Sequence, residues 1–168
     1  LVSVADLDET PKRGELPASY ARRLAIAKAK AVAATHNGLI LAGDTVVACG
    51  RRILPKAETT DTALSCLQLL SGRQHRVYGG IALIADDRRL FIRVVCSQVK
   101  FCRLTENDIA DALAAGDWQG KAGGYAIQGF AARYIRHISG SYSNVVGFSL
   151  FDVAAILNAA GYRPAIKP

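Results

Sequence analysis

The chain has 168 residues, 21 Lys and Arg against 14 Asp and Glu for a net charge of +7, and 51% apolar against 21% charged residues. That balance excludes intrinsic disorder, and the length suits a single domain with a substantial core. The most apolar stretch, Val145 to Leu157, is broken by Ser149 and Asp152 and falls short of the about 20 apolar residues a membrane span needs, so a soluble protein with no membrane contact is expected.

After an extended start, Glu15-Leu16-Pro17 predicts a helix opening, because proline is tolerated in a first turn, and the alanine-rich segment that follows runs until Asn37-Gly38. Tyr20, Leu24, Ala27 and Ala31 recur at helical spacing and are expected to mark its buried side. Leu39 to Cys49 is β-rich and apolar on both faces, as a central strand should be, and Gly50-Arg51 turns it into a short partner at Arg52-Ile53. Thr60 is the expected cap of a helix from Asp61 to Leu70, with Ala63, Leu64, Leu67 and Leu70 on its apolar face. His75 to Ala85 and Leu90 to Arg103 read as an antiparallel hairpin around the charged turn Asp86-Asp87-Arg88-Arg89. Thr105 and Asp108 form a capping arrangement for a helix to Ala115. Gly123 to Ile138 reads as a strand pair or bent strand, Gly140 to Asn144 as a turn, and Phe148 to Ala160 as a last helix stopped by Gly161. The order predicts an α/β fold whose sheet is mixed and partly antiparallel, with flanking helices.

Cys49, Cys66, Cys96 and Cys102 form no CxxC pair, and three of the four sit in apolar runs, which predicts reduced, buried thiols in a cytoplasmic protein and excludes zinc-ribbon or thioredoxin chemistry. The basic residues are scattered in pairs, Arg22-Arg23, Arg51-Arg52 and Arg88-Arg89, with no aromatic interleaving, so nucleic acid is not the expected partner. The chain starts at Leu1 and contains no Met, so residue 1 is not expected to be a native translation start.

Four places break the local pattern, and such breaks tend to mark functional sites. Asp44 lies inside an otherwise apolar strand, where an unpartnered carboxylate is very costly; it is either satisfied by backbone amides, or serves as a metal ligand or general base. Asp6, Asp8 and Glu9 cluster ahead of the first helix, as a solvated loop or as part of a site. Lys56, after Leu54-Pro55, is either a solvated loop lysine or a point-charge partner for phosphate in the same pocket as Asp44. Last, the glycine-rich run Gly116 to Gly129 and the block from Gly140 to Gly147 combine small residues with the neutral donors Ser141, Ser143 and Asn144, which suits close approach to phosphate or a base edge as well as ordinary turns.

Taken in register, Asp8-Glu9-Thr10, the helix Tyr20 to Ala29, Ala42-Gly43-Asp44-Thr45-Val46-Val47, Leu54-Pro55-Lys56, Leu70 to Val77, Ala126-Ile127-Gln128-Gly129 and Gly140-Ser141-Tyr142-Ser143-Asn144-Val145-Val146-Gly147 resemble the Maf nucleotide pyrophosphatases, along nearly the whole chain. The resemblance implies an elongated, two-lobed single domain with a central cleft, and hydrolysis of a nucleoside triphosphate to the monophosphate and pyrophosphate with a divalent cation, Mg²⁺ or Mn²⁺. It assigns the catalytic base to Asp44, a further catalytic acid to Glu9, and phosphate contacts to Lys28 and Lys56. Asp44 and Glu9 would be the metal ligands, and Ser143 and Asn144 would join Thr45 and Gln128 in substrate binding. The Thr45 and Gln128 pairing is similar to the subgroup acting on dTTP and UTP; a homodimer is also implied.

The chain departs from the family in lacking the opening strand with its Ser-x-Ser-Pro-Arg-Arg motif, which implies that the first strand-helix unit is absent from it. It also carries Leu54-Pro55-Lys56 in place of Gly-Lys-Pro and Ala27 in place of a frequent Glu. Two other readings stand beside the enzyme: a nucleotide-binding regulator of septum formation without significant turnover, and a nucleic-acid-binding domain resting on the charge alone.

Overall fold

The computed structural model describes residues 2–3 and 7–163, so Asp6 of the acidic cluster lies outside the described residues. Helix α1 (Pro17–Ala33) is followed by strands β1 (Ile40–Cys49) and β2 (Arg52–Ile53), helix α2 (Thr60–Leu70), strands β3 (Gln74–Ile84) and β4 (Leu90–Phe101), and helix α3 (Glu106–Ala115). A 3-10 turn at Phe130–Tyr134, strand β5 (Ile135–Ser139) and helices α4 (Tyr142–Val146) and α5 (Leu150–Ala159) complete the order.

The strands form one sheet in the order β2-β1-β3-β4-β5, and every pairing is antiparallel where a mixed sheet was expected. The reason is the two-residue β2: it reverses the chain before α2, so β3 returns antiparallel to β1. The β3–β4 hairpin is as predicted, pairing from Gln74 with Lys100 to Ile84 with Leu90. The central strand is β3, not β1. Because β2 pairs only with Ala48 and Cys49, the outer edge of β1 from Ile40 to Val47 has no strand partner among the described residues.

Two faces of the sheet are covered differently. Helix α1 lies on one, packing Ala25 and Ala29 against Ile40, Ala82 and Ile84. On the other, α5 packs Ile156 on Ile81 and Leu83, while α2, α3 and the 125–134 segment enclose Val47, Val77, Val99 and Phe101. The buried stripe of α1 is Ala21, Leu24, Ala25 and Ala29, rotated from the expected one; Tyr20, Ala27 and Ala31 are half-buried. Close approach explains the rotation, because a Cβ on Gly80 of β3 would sit 2.2 Å from the Ala21 carbonyl oxygen, and only glycine beneath alanine lets helix and strand come that near.

Other boundaries differ in ways that follow from local chemistry. The α2 cap is Thr59, one residue before the expected Thr60, its hydroxyl accepting from the Thr62 N–H. The Thr105–Asp108 capping box forms as predicted, and Gly116 closes α3 with a φ of 73°. Gly123 to Ile138 does not make a strand pair: Gly123 and Gly124 both take positive φ, which breaks a ladder, and only β5 is a strand there. The Gly140–Asn144 turn is instead the start of α4, capped by Ser141. Of the cysteines, all free, Cys66 is buried, Cys49 and Cys102 are intermediate and Cys96 is exposed. Phe148 packs against the Ile81–Ile156 cluster, whereas Phe151 is 81% exposed.

Candidate active site

Alternation along β1 distributes the site over both faces of the sheet. Asp44 faces α1, its carboxylate nearly buried, and meets Lys28, whose Nζ donates to Asp44 Oδ1 at 2.6 Å. Lys28 stands seven residues along α1 from Ala21, so the contact at Gly80 is also what brings its ammonium down onto β1. The same ammonium reaches Glu9 Oε1 at 2.7 Å, and Glu9 Oε2 accepts from Lys56 Nζ at 2.7 Å. Asp44, Lys28, Glu9 and Lys56 therefore form one chain of alternating charge, drawn from a helix, a strand and two loops.

This arrangement polarises the groups in different directions. Burial raises the Asp44 carboxyl above the ordinary aspartate value, more than Lys28 lowers it. Burial also opposes the charge of Lys28, but hydrogen bonds to Asp44 and Glu9 outweigh it and raise the ammonium. Glu9 feels some burial too, yet its two lysine partners bring it below the usual glutamate value. A carboxylate made more basic beside one made less basic is the asymmetry that separates a proton acceptor from a permanently charged ligand.

Around the open edge of β1, Asp44 and Lys56 both border two cavities. One, of about 380 Å³, holds Lys28, Asp44, Thr45, Lys56 and Gln128 in its lining, with Tyr125 and the Val145–Phe148 segment as its apolar walls. The other, of about 280 Å³, is bounded by Glu9, Tyr20, Asp44 and Lys56. Thr45, one residue on from Asp44, points to the opposite side of β1, where its hydroxyl donates to the Gly147 carbonyl at 3.4 Å. Lys56 is held in place by backbone pairing of its loop with the glycine-rich segment. It bridges Ala122, while the Ala57 N–H donates to the Lys121 carbonyl and the Gly123 N–H to the Pro55 carbonyl. Gln128 is exposed on the rim of the larger cavity.

Ser143 and Asn144 stand outside that lining, and their side chains are committed elsewhere. Asn144 is fully buried, and its Nδ2 donates to the Val77 carbonyl at 3.2 Å and to Ser97 Oγ at 3.1 Å. Ser143 Oγ shares a hydrogen bond with Ser141 Oγ at 3.0 Å and accepts from the Leu150 N–H at 3.1 Å. Asn144 pins the short helix α4 to the sheet, Ser143 ties its start to the start of α5, and so Val145 to Gly147 are set as a wall of the cavity. Sequence reasoning missed the partners of this arrangement: Gly79, where a Cβ would collide with Asn144, and Gly43, where it would collide with the Phe148 ring. Their only signal is glycine inside a strand, which suggests close approach without saying of what.

Among the described residues no group of three or more His, Cys, Asp or Glu stands together to hold a metal. The cleft offers two carboxylates, Asp44 and Glu9. That donor set fits a magnesium-type cation, which takes one or two carboxylates and completes its shell with water and substrate phosphates. No helix among the described residues is long and apolar enough to cross a membrane.

The family described as Maf-like protein matches residues 1–160. The chain is 61% identical over 165 residues to a dTTP/UTP pyrophosphatase of Paramagnetospirillum magneticum, covering 98% of this chain and 87% of the relative. It is 58% identical to the Rhodospirillum rubrum protein of the same name, covering 97% of this chain and 78% of the relative, and 52% identical to that of Caulobacter vibrioides, covering 97% and 85%.

Proposed function

The chain belongs to the family of Maf-like proteins, and on that footing we propose that it hydrolyses nucleoside triphosphates, with dTTP and UTP as its substrates, to the monophosphate and pyrophosphate. One observation carries the reading: a buried, more basic Asp44 is joined through Lys28 and Glu9 to Lys56 beside a cavity that also presents Thr45 and Gln128. Its volume of about 380 Å³ lies within the range of small-molecule sites.

Cleavage of the anhydride between the α- and β-phosphates asks for positioning and charge neutralisation more than for covalent chemistry. Lys28 and Lys56 present two ammonium groups, now satisfied by carboxylates, which phosphate oxygens take up in exchange. Asp44 orients water and accepts its proton as the water oxygen bonds to phosphorus and the bridging oxygen leaves with pyrophosphate; its raised basicity suits that role. A divalent cation, Mg²⁺ or Mn²⁺, held by Asp44 and Glu9 with phosphate oxygens, would supply further neutralisation of the triphosphate. Thr45 and Gln128 offer the hydroxyl and amide that read the base edge, and a site built on such bonds discriminates strongly against bases that leave them unpaired. The apolar residues exposed on α4 and α5, Tyr142, Val146, Leu150 and Phe151, supply a surface for the homodimer that belongs to this reading.

The test is pyrophosphate release from dTTP, UTP, CTP, dGTP and 7-methyl-GTP with Mg²⁺ or Mn²⁺, for the wild type and for Asp44→Asn. Turnover is expected for dTTP and UTP and is expected to vanish in the variant. Undiminished release by a folded Asp44→Asn protein would remove Asp44 from the mechanism.

A further inference from the structure

The segment carrying Glu9 has no regular secondary structure, and from Asp8 to Gly14 every residue is exposed or only half-buried. Packing therefore does not fix it, yet its carboxylate meets two lysines far away in the chain at 2.7 Å each. What holds it is a set of hydrogen bonds from α1. Tyr20 Oη donates to the Glu9 carbonyl at 2.5 Å, and Arg23 Nη2 donates to the Thr10 carbonyl at 3.1 Å. Arg23 also grips Glu15 through two nitrogens, at 2.7 and 2.8 Å, and its guanidinium lies 5.3 Å from the centre of the Tyr20 ring.

We propose that Tyr20 and Arg23 are positioning residues for the reaction: they clamp the backbone of the Glu9 segment to α1 so that its carboxylate is delivered between Lys28 and Lys56. The inference rests on the reading of this cleft as the reaction site and adds residues that touch neither phosphate nor water. Three features make it a clamp. The anchors hold two successive peptide units, through the carbonyls of Glu9 and Thr10, directly after the Cα that carries the Glu9 side chain. Tyr20 borders the same cavity as Glu9, Asp44 and Lys56, so its hydroxyl acts at the cleft itself. The bidentate Arg23–Glu15 pair ties the far end of the segment, and its hydrogen bonding holds the Glu15 carboxyl down at about 2, so the tie persists across the working pH range.

The clamp also predicts an asymmetry. If the Glu9 backbone is released, Lys28 keeps Asp44, while Lys56 loses the one carboxylate it touches among the described residues. The experiment uses Tyr20→Phe, which deletes only the hydroxyl, and reads the ¹⁵N ammonium resonances of the lysines beside steady-state turnover of dTTP. The Lys56 resonance is expected to broaden into solvent exchange while that of Lys28 persists. Turnover should fall about three- to tenfold, the loss of a single hydrogen bond, with the same division between kcat and KM as in Glu9→Gln. On the Glu9→Gln background the Tyr20 substitution should add less than about twofold, because the residue it positions is gone.

An unchanged Lys56 resonance, or an equal loss of turnover in both backgrounds, would overturn the clamp. Should wild type turn over no triphosphate, the reaction reading fails on its own, and the two lysine resonances still decide whether Tyr20 holds Glu9. If Tyr20→Phe folds poorly, Arg23→Gln, which frees the Thr10 carbonyl and Glu15 while leaving the Tyr20 hydroxyl in place, is read in the same way.

Discussion

Replacing Lys28 by Met keeps most of the aliphatic stem and removes only the ammonium, leaving the Asp44 carboxylate, 6% exposed, without its partner. Taking one member from a buried ion pair costs about 3–5 kcal/mol, because the other charge stays desolvated. Lys28 is 21% exposed, so some water enters, and a loss of about 3 kcal/mol near pH 7.5 is expected. The pH dependence is the sharper test. Asp44 is already raised by burial, and the hydrogen bond and charge of Lys28 are what chiefly oppose that rise, so the variant carries an Asp44 whose folded value stands higher still. A group raised on folding contributes stability that is complete below its unfolded value, about 3.9 for aspartate, and is lost as pH climbs through the folded value. The deficit should therefore be largest at pH 7.5 and shrink as the buffer is acidified. Lys28 itself is raised above its ordinary value, so in wild type its contribution is constant across that range. Urea unfolding at pH 7.5 and pH 5, with unchanged m-values, measures both numbers. A deficit that is equal at the two pH values, or below about 0.5 kcal/mol at pH 7.5, would refute the buried-pair reasoning.

Gly80→Ala places a methyl group 2.2 Å from the Ala21 carbonyl, so α1 must lift; about 3 kcal/mol of stability and most of the dTTP turnover should go together, measured by urea unfolding and pyrophosphate release. Lys56→Met, on a side chain 49% exposed, should leave the midpoint of unfolding within about 0.5 kcal/mol while raising the KM for dTTP severalfold, separating phosphate contact from fold. Asn144→Ala removes donors to Val77 and Ser97 and should cost about 2 kcal/mol; thermal unfolding reads it, and an effect below about 0.5 would mean that the α4 anchor lies elsewhere. His75, buried with its Nε2 2.7 Å from Tyr125 Oη, is lowered by desolvation to about 4. A base lowered on folding lends stability that is complete above its unfolded value of about 6.5 and fades as pH falls through the folded one. Its imidazole ¹H resonances should stay at their neutral shift down to pH 5.

The β3–β4 hairpin, α2, α3 and α5 were legible because local patterning and caps decide them: alternating apolar residues flank a charged turn, and Thr105 with Asp108 closes its own helix start. The 123–138 segment was not, since its apolar and aromatic residues read as strand while Gly123 and Gly124, both at positive φ, turn the backbone aside. Asp44 stood out because a carboxylate in an apolar strand demands a partner, Lys56 because it follows a proline-stiffened loop, and Lys28 was reached through the family resemblance. Ser143 and Asn144 have the residue types of a binding loop, but Asn144 is buried and turned inward to hold α4, while the Ser143 hydroxyl is taken up by Ser141 and Leu150.

By itself the sequence determined the elements up to α3, together with the last helix, and that Asp44 must be paired, because helical and strand periodicities, caps and the cost of a buried charge act over a few residues. Only the tertiary structure decided what pairs it. Glu9, Lys28 and Lys56 come from a loop, a helix and a second loop, and their meeting depends on α1 settling onto Gly80 and on Tyr20 and Arg23 gripping an otherwise unpacked segment. Those are long-range contacts whose strength lies in distances of a few tenths of an ångström, and no local pattern of residues carries that information.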